Sequence, residues 1–403
     1  CSENGDGREV VRHAPILSST LSARIRAPAY HRVMTLLDGI SSRIIDTDRL
    51  GVNILERTGD DPGTAPDRTV VLLHGALSSA LVWQELMQDL PAEFRVVAID
   101  LRGFGGTEHM PVDASRGVRD LSDDVAVALV ELGIDAPHLV GWDLGGAVAL
   151  QYALDHPVRT ILLESPVSPY GLGGTRLDGT RLTDDDAGCG AGMANADFVR
   201  RLNARESGDE APTSPRSVFR ASFVAEDFTA EHEDLWVEAM LSTSTATGNY
   251  PGESVTSPHW PGYAPGRFGV LNALAPSNFD VSAIVDLPVK PPILWVRGVL
   301  DPVVSDTSFS DPNHLGALGI LPDWPGSDVA PAQPMVSQTR EVLRRYTDAG
   351  GTATELGLPG VGHTPHLERP AVFRRALLEL TGYIGSPASP APPTEAIILS
   401  SSD

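Results

Sequence analysis

The chain has 403 residues and a formal net charge of −23 at pH 7, because 53 acidic residues outnumber 30 basic ones. Nucleic acids and anionic membrane surfaces attract cationic faces, so neither is predicted as a partner. Hydrophobic residues make up 41% of the chain, which argues against global disorder, and two cysteines are too few for a disulfide scaffold or a cysteine-rich metal site.

The first segment in chain order is a polar tether, predicted over residues 1–26. The sequence starts with Cys1 and a serine, followed by Glu-Asn-Gly-Asp-Gly. This start resembles the mature N-terminus of bacterial lipoproteins, whose first cysteine carries lipid. The resemblance implies a lipid anchor at Cys1 and an extracellular or cell-envelope location. The alternative is a cytoplasmic protein whose given sequence happens to begin there.

The first part of an α/β core is predicted over residues 27–165, where short apolar runs alternate with helical patterns. In chain order these are a helix at Ala29–Ile40, strands at Ile44–Ile45, Val52–Leu55 and Thr69–Leu73, a helix at Leu81–Leu90, a strand at Arg95–Ile99, a helix at Leu121–Leu132, a strand at Pro137–Val140, a helix at Leu144–Leu154 and a strand at Thr160–Leu163. Such alternation predicts a doubly wound, mostly parallel sheet.

The strand–helix alternation stops near Pro166. Residues 166–287 are rich in Gly, Pro, Asp and Trp, and they contain helical patches at Ala196–Asn203 and His232–Leu241. Because this segment interrupts the strand pattern and the pattern resumes after it, we predict an inserted cap that lies over the edge of the sheet.

A second core segment is predicted over residues 288–385. Its elements are a strand at Ile293–Val296, a helix at Pro334–Tyr346 and a strand at Thr352–Leu358. Residues 303–334 form either a second lid element or a surface loop. The last residues, 386–403, are rich in Pro, Ser and Ala and are predicted to be a flexible tail.

The segment with the clearest chemical meaning is Leu139-Val-Gly-Trp-Asp-Leu-Gly-Gly-Ala147. A predicted strand runs into a turn centred on Asp143 and then directly into a helix. Small residues around the turn let strand and helix approach closely, so the Asp143 side chain projects at the helix N-terminus. This is the layout of a nucleophile elbow, with aspartate where serine is commonest. Amides at the helix end favour an anion there.

Four further segments accompany this turn, in a fixed order along the chain. They are Val71-Leu-Leu-His-Gly-Ala-Leu77, Asp100-Leu-Arg-Gly-Phe-Gly-Gly-Thr107, Arg297-Gly-Val-Leu-Asp-Pro302 and Gly360-Val-Gly-His-Thr-Pro-His-Leu-Glu-Arg-Pro370. With these five segments the chain resembles the α/β-hydrolases over about residues 45–165 and 288–384. The resemblance implies an α/β-hydrolase fold and leaves the inserted cap unexplained.

The resemblance also implies a role for individual residues. Asp143 would be the nucleophile, His363 the base that activates water, and Asp301 the acid that orients the histidine. The backbone amides of Ala76 and Leu144 would form the oxyanion hole. These residues together predict a hydrolase.

A carboxylate nucleophile attacks carbon directly and forms an alkyl-enzyme ester, displacing an alkoxide from an epoxide or a halide from a haloalkane. Asp143 therefore resembles the nucleophile of epoxide hydrolases and haloalkane dehalogenases, and we predict an epoxide hydrolase. Epoxide hydrolases use two cap tyrosines to protonate the opening oxygen. The candidates in the predicted cap are Tyr170, Tyr250 and Tyr263.

Several departures from the family patterns leave other functions open. Both families usually have proline at the position of Leu77, and dehalogenases often have Asn or Glu at the position of Ala76 and Trp at that of Leu144. The residues around Asp143 also form a common frame for a serine nucleophile. The alternatives are therefore an esterase- or lactonase-like enzyme with Asp in place of Ser, a haloalkane dehalogenase, and a non-catalytic ligand-binding protein.

Other side chains are secondary candidates for the site. Glu164 is an alternative acid, because some haloalkane dehalogenases carry their acid at the matching strand end. Asp301 is preferred because its loop is the fuller match. Trp142, Trp260 and His74 are candidates for the pocket, although Trp142 is expected to pack beneath the elbow and His74 to hold its loop by a hydrogen bond.

The resemblance implies no cofactor, and no metal site is predicted. Glu231-His-Glu-Asp234 is interpreted as a polar helix start, because no second cluster of ligands matches it. The sequence contains no apolar run of the roughly 20 residues that span a membrane. The predicted partner is an uncharged organic small molecule, and the sequence does not indicate an oligomeric state.

Overall fold

The computed structural model describes residues 34–57, 66–385 and 397–399. The predicted tether, with Cys1, lies outside the described residues. The strands are β1 (Ile40–Asp46), β2 (Gly51–Arg57), β3 (Thr69–Leu73), β4 (Arg95–Ile99), β5 (His138–Trp142), β6 (Thr160–Glu164), β7 (Ser254–Thr256), β8 (Tyr263–Pro265), β9 (Ile293–Gly298), β10 (Ala353–Leu358) and β11 (Ile397–Leu399).

The helices lie mainly between these strands. They are α1 (Gln84–Asp89), α2 (Arg119–Glu131), α3 (Leu144–Asp155), α4 (Ala196–Ala204), α5 (Pro215–Val218), α6 (Glu233–Leu241), α7 (Val270–Ala273), α8 (Pro312–Ala317), α9 (Met335–Asp348), α10 (Pro365–Glu368) and α11 (Pro370–Leu380). A π-helical turn over Phe219–Phe223 follows α5 directly.

Nine strands form the main sheet in the order β1-β2-β4-β3-β5-β6-β9-β10-β11. The pairs β4–β3, β3–β5, β5–β6, β6–β9 and β9–β10 are parallel, whereas β1, β2 and β11 join antiparallel at the edges. The predicted doubly wound, mostly parallel sheet is therefore confirmed. The carboxyl ends of the parallel strands meet at one edge, where open α/β sheets bind their ligands.

Both faces of the sheet are covered by apolar side chains. In β3, Val71 and Leu73 belong to the cluster that contains α2 and α3 residues, whereas Val70 and Leu72 belong to the cluster that contains α1 and α11 residues. Every residue of β3 is buried. Alternate side chains thus pack on opposite faces, which explains why this strand reads as a continuous apolar run.

The insertion occupies residues 165–292, between the neighbouring strands β6 and β9. Its apolar side chains do not form a core of their own. Val270 and Leu274 pack in the α2–α3 cluster, and Phe219 and Trp236 pack in the α1–α11 cluster. The insertion therefore packs against both apolar clusters of the main sheet, and its role as a cap stays a prediction.

The stretch 303–334 is fastened to the insertion by buried amide side chains. Gln333 Nε2 donates to the Gly171 carbonyl (3.1 Å) and to Thr175 Oγ1 (2.8 Å), and Gln333 Oε1 accepts from the Gly173 amide (2.5 Å). Because these groups are buried and mutually satisfied, this stretch is part of the structure over the sheet edge. The surface-loop alternative does not fit these contacts.

Two predicted segments differ from the structure at the chain ends. The described part of the predicted helix Ala29–Ile40 is irregular, with the Leu37 amide bonded to Gln84 Oε1 (2.7 Å) and β1 starting at Ile40. Within the predicted flexible tail, β11 pairs with Glu355–Gly357. The open backbone groups of β10 at the sheet edge explain this pairing. In the described residues, no helix is long and apolar enough to cross a membrane.

Candidate active site

The turn between β5 and α3 is sharp because only glycine fits around it. Asp143 has φ 51° and ψ −114°, a conformation that side-chain-bearing residues rarely adopt. A Cβ on Gly141 would lie 2.3 Å from the Gly145 carbonyl oxygen, and a Cβ on Gly145 would lie 2.2 Å from that of Leu73. The close approach of strand and helix therefore fixes Asp143 at the carboxyl end of the central strand.

The Asp143 carboxylate lies against both predicted oxyanion-hole amides. Its Oδ2 accepts a hydrogen bond from the Ala76 amide at 2.9 Å, and the Leu144 amide also bonds the carboxylate. Burial nevertheless raises the pKa of Asp143, although His363 and the two amides oppose the rise. The Leu144 amide at the start of α3 lowers the pKa of Asp143, as expected from the sequence, but the effect of burial on this pKa is larger.

His363 and Asp301, which the motifs predict to be the base and the acid, lie within hydrogen-bond distance of each other. His363 Nδ1 lies 2.9 Å from Asp301 Oδ2, and Nε2 lies 3.9 Å from Asp143 Oδ1. The other Asp301 oxygen accepts from the amides of Val303 (2.8 Å) and Val304 (3.0 Å). Because the fixed carboxylate accepts at Nδ1, the neutral imidazole carries its proton there and presents Nε2 as a base.

The charge state of His363 depends on two opposing effects. Complete burial lowers its pKa, but the negative charges of Asp301, Asp143 and Glu164 outweigh burial and raise the pKa from 6.5 to about 8. Near neutral pH the imidazole is therefore mostly protonated, with the two carboxylates of Asp301 and Asp143 on either side.

The backbone of His363 is held from two directions. Its amide donates to the Phe223 carbonyl at 3.0 Å, and its carbonyl accepts from Trp142 Nε1 at 2.9 Å. The Trp142 ring also contacts the rings of Phe223 and His363. Trp142 thus supports the histidine from beneath the elbow. Phe223 was missed from the sequence, because its backbone and ring contacts join residues that are far apart along the chain and leave no local pattern.

The alternative acid, Glu164, contacts a different histidine. Its Oε1 accepts from the His366 amide at 2.7 Å and pairs with His366 Nδ1 at 2.8 Å. Trp83 packs on the His366 ring at a centroid distance of 4.2 Å. The structure therefore assigns Glu164 to the buried support of the histidine loop, and Asp301 is the acid bonded to His363.

Of the three candidate tyrosines, Tyr250 is the one whose pKa is affected by the charge of Asp143. It is buried, and burial together with the negative charge of Asp143 raises its pKa. The Tyr250 phenol is therefore protonated at neutral pH.

The other two tyrosines are engaged elsewhere. The Tyr170 hydroxyl accepts a hydrogen bond from Arg345 Nη1 at 3.1 Å. Burial raises the pKa of Tyr263, and the charges that add to this rise belong to Cys189 and Asp311 rather than to Asp143. The structure brings neither side chain to the nucleophile.

The remaining pocket candidates have structural roles. His74 Nε2 accepts from the Leu101 amide at 3.0 Å, so Nδ1 carries the proton and donates to the Gly75 carbonyl at 2.7 Å. Burial lowers the pKa of His74 to about 4, which keeps the ring neutral. Trp260 Nε1 donates to the Pro322 carbonyl at 2.9 Å, so this side chain fastens the stretch 303–334.

The described residues contain no group of three or more His, Cys, Asp or Glu side chains placed to hold a metal ion. Glu233 and Asp234, in the segment interpreted as a polar helix start, form ion pairs with Arg216, and Glu233 also pairs with Arg220. These acidic side chains are therefore satisfied by guanidinium groups at the start of α6.

The fold of the chain is supported by the sheet order, the elbow and one comparison. A family model described as the alpha/beta hydrolase fold matches residues 68–184, which include Ala76 and Asp143. The chain has an α/β-hydrolase fold. Asp301 and His363 lie outside the matched residues.

Two curated relatives match parts of the chain. A fluoroacetate dehalogenase from Burkholderia is 31% identical over 131 residues, which are 32% of this chain and 41% of the relative. A pimeloyl-acyl-carrier-protein methyl ester esterase from Aeromonas hydrophila is 39% identical over 97 residues, which are 24% of this chain and 35% of the relative. The chain spans less than half the length of these two relatives.

A solved structure supports the fold over a longer range. The 2-hydroxy-6-oxo-6-phenylhexa-2,4-dienoate hydrolase from Rhodococcus aligns with a TM-score of 0.50 at 19% identity. The alignment covers 85% of this chain and 98% of that one. At this identity the likeness concerns the fold alone.

Proposed function

We propose that this protein hydrolyses neutral epoxides through an alkyl-enzyme ester on Asp143. The observation that carries the proposal is the orientation of the Asp143 carboxylate. Oδ2 is bonded to the Ala76 amide, whereas Oδ1 faces His363. One oxygen is thus placed to become the ester carbonyl in the oxyanion hole, and the other is placed to attack carbon.

In the first step, Asp143 Oδ1 forms a bond to one epoxide carbon and the carbon–oxygen bond of the ring breaks. The released alkoxide takes a proton from the Tyr250 hydroxyl. The raised pKa of Tyr250 keeps that proton in place before the reaction. In this proposal Asp143 is the nucleophile and Tyr250 is the general acid that ring opening needs.

In the second step, His363 Nε2 takes a proton from water, and the resulting hydroxide attacks the ester carbonyl carbon. The 3.9 Å gap between Nε2 and Asp143 Oδ1 is too long for a hydrogen bond and is compatible with an intervening water. The ester bond breaks, the diol oxygen takes the proton from His363, and Asp143 is left as a carboxylic acid. Its proton passes through solvent to the Tyr250 phenolate, so that both groups return to their starting states. Asp301 stabilises the imidazolium between these two proton transfers.

Haloalkane dehalogenation is the second candidate, because the relative from Burkholderia is named a fluoroacetate dehalogenase. Among the groups that shift the pKa of Asp143, His363 is the cation and Asp301 an anion. The negative charges of Asp143 and Asp301 would repel a haloacid carboxylate. Trp142 Nε1 is also occupied by the His363 carbonyl and is not available to a halide. These contacts favour an uncharged epoxide.

The proposal is tested by trapping the ester with His363→Gln. The variant is incubated with neutral epoxides, haloalkanes, fluoroacetate and aryl esters, followed by intact-protein and peptide mass spectrometry. We expect the mass of an epoxide to be added at the Asp143 peptide, and no addition with Asp143→Asn. His156→Gln is the matched histidine control and should turn over without accumulation. If an epoxide that the unmodified protein consumes leaves no added mass, the proposed function is wrong.

A further inference from the structure

The insertion contacts the histidine loop through backbone atoms. The Phe223 carbonyl accepts from the His363 amide (3.0 Å) and from Thr364 Oγ1 (2.9 Å). A Cβ on Gly362 would lie 2.8 Å from the Val224 carbonyl carbon. The end of the π-helical turn therefore lies directly against the residues that flank the imidazole, with space for glycine alone.

A buried carboxylate joins these two segments. Glu368 is 4% exposed, and its Oε1 accepts from the Gly362 amide at 2.9 Å. Its Oε2 accepts from the Ala225 amide at 2.8 Å. The Glu368 side chain thus binds Gly362, which precedes His363, and Ala225, which follows the π-helical turn by two residues. Burial raises the pKa of Glu368, and the amides of Ala225 and Gly362 oppose the rise.

We propose that Glu368 is a positioning residue that fixes His363 to the insertion and is needed for hydrolysis of the ester rather than for its formation. The inference rests on the proposed function, because it assigns Glu368 to one of the two proposed steps. Glu368 contacts neither Asp143 nor its oxyanion-hole amides; the groups bonded to its carboxylate belong to Gly362, Thr364 and Ala225.

The two steps depend on different supports. Asp143 is positioned by the glycine turn and by the amides of Ala76 and Leu144, so ring opening does not require the histidine loop. Water activation requires Nε2 of His363 at the ester, and the loop position depends on Glu368. Because a misplacement of about 1 Å can cost roughly 100-fold in rate, loss of the carboxylate should slow the second step selectively.

The test is single-turnover kinetics with Glu368→Gln and Glu368→Ala on an epoxide that the unmodified protein consumes. Glutamine retains the shape and one acceptor oxygen, but its NH₂ faces a backbone N–H. We expect ester formation to change less than about 3-fold and ester breakdown to fall by roughly 10- to 100-fold, so that ester accumulates. Glu355→Gln is the matched control, because Glu355 is buried and paired with Arg297 and Arg340.

A second readout separates positioning from a general loss of structure. If His363 moves away from Asp301, the apparent pKa of the breakdown step should be lower in Glu368→Gln than in the unmodified protein, because the Asp301 carboxylate raises the pKa of His363. Glu355→Gln should leave this pH profile unchanged. Equal slowing of both steps in Glu368→Gln, or breakdown at the unmodified rate, would overturn the inference. His363→Gln is run in parallel: if it accumulates no ester, the proposed function itself fails.

Discussion

At the scale of single residues, the proposed mechanism depends on which tyrosine hydroxyl can donate a proton to the substrate. Tyr250 and Tyr170 are both buried, but the Tyr170 hydroxyl is bound by Arg345 whereas Tyr250 lies within the field of Asp143. A phenol whose pKa is raised by burial and by a neighbouring carboxylate stays protonated, so it can donate to an alkoxide that forms beside it.

The first prediction concerns this proton. Tyr250→Phe should slow ester formation from an epoxide by about 100-fold, since general-acid catalysis contributes roughly 10²–10⁴-fold. Rapid-quench kinetics followed by mass spectrometry of the ester measures this step. Tyr170→Phe is the matched control and should stay within about 3-fold of the unmodified rate, in line with its contact to Arg345. An unchanged rate in Tyr250→Phe would remove Tyr250 from the mechanism.

The second prediction follows from the pKa of His363, which is raised to about 8. Only the neutral imidazole accepts a proton from water, so ester breakdown should accelerate as the pH rises through the pKa of His363 and then level off. In the ester, Asp143 no longer carries the negative charge that helps to raise this pKa, so the acceleration should be complete below about pH 8. Protonated His363 also stabilises the folded state below pH 6.5, and this contribution is lost as the pH rises through 8. Single-turnover rates and urea unfolding, each measured across this pH range, test both effects. A breakdown rate that falls across this range would contradict the assignment.

At the scale of elements, the glycine-rich turn between β5 and α3 fixes Asp143 at the carboxyl end of the central strand. Its glycines could be interpreted from the sequence, because small residues between a strand and a helix indicate close approach. Apolar spacing predicted a helix over Ala29–Ile40, and this prediction is wrong for the described part of the segment. There, the Leu37 amide donates a hydrogen bond to the Gln84 side chain. Spacing alone does not show whether apolar residues lie on a helix face or are held by tertiary contacts.

The third prediction tests the glycine turn. Gly145→Ala should destabilise the fold by about 1–3 kcal/mol, although alanine is the better helix former, because the added Cβ meets the Leu73 carbonyl oxygen. Ester formation should fall as Asp143 shifts with the turn. Gly385→Ala, with no atom within 4 Å of its Cβ, is the control and should stay within about 0.5 kcal/mol. Urea unfolding measures the stability of both variants. Equal stabilities of Gly145→Ala and Gly385→Ala would contradict the close approach of β5 and α3.

At the scale of the whole molecule, the two stretches that interrupt the core are bound to each other and to the sheet. Their positions between strands were predictable, since the strand pattern stops and resumes. Their mutual contacts were not, because Gln333 meets Gly171 and Thr175 across more than 150 residues. Glu368 escaped prediction for the same reason: its partner Ala225 lies in the insertion. A single sequence shows residue types, whereas these pairings depend on the tertiary fold.

The fourth prediction concerns this junction. Gln333→Ala leaves buried partners at Gly171, Gly173 and Thr175 without their hydrogen bonds, which should cost about 1–3 kcal/mol of unfolding free energy. Limited proteolysis should then cut within residues 303–334 more readily. Gln88→Ala, at an exposed position, is the control. Unfolding and proteolysis like those of the unmodified protein would show that the network does not hold this stretch in place.

The covalent role of Asp143 can be tested in the unmodified protein by a single turnover of an epoxide in H₂¹⁸O, with enzyme in excess. Ester chemistry transfers an Asp143 oxygen to the diol and replaces it from water. We therefore expect ¹⁸O in the Asp143 peptide and an unlabelled diol after one turnover. A diol that carries ¹⁸O while Asp143 stays unlabelled would mean that water attacks the substrate directly, and the ester mechanism would be wrong.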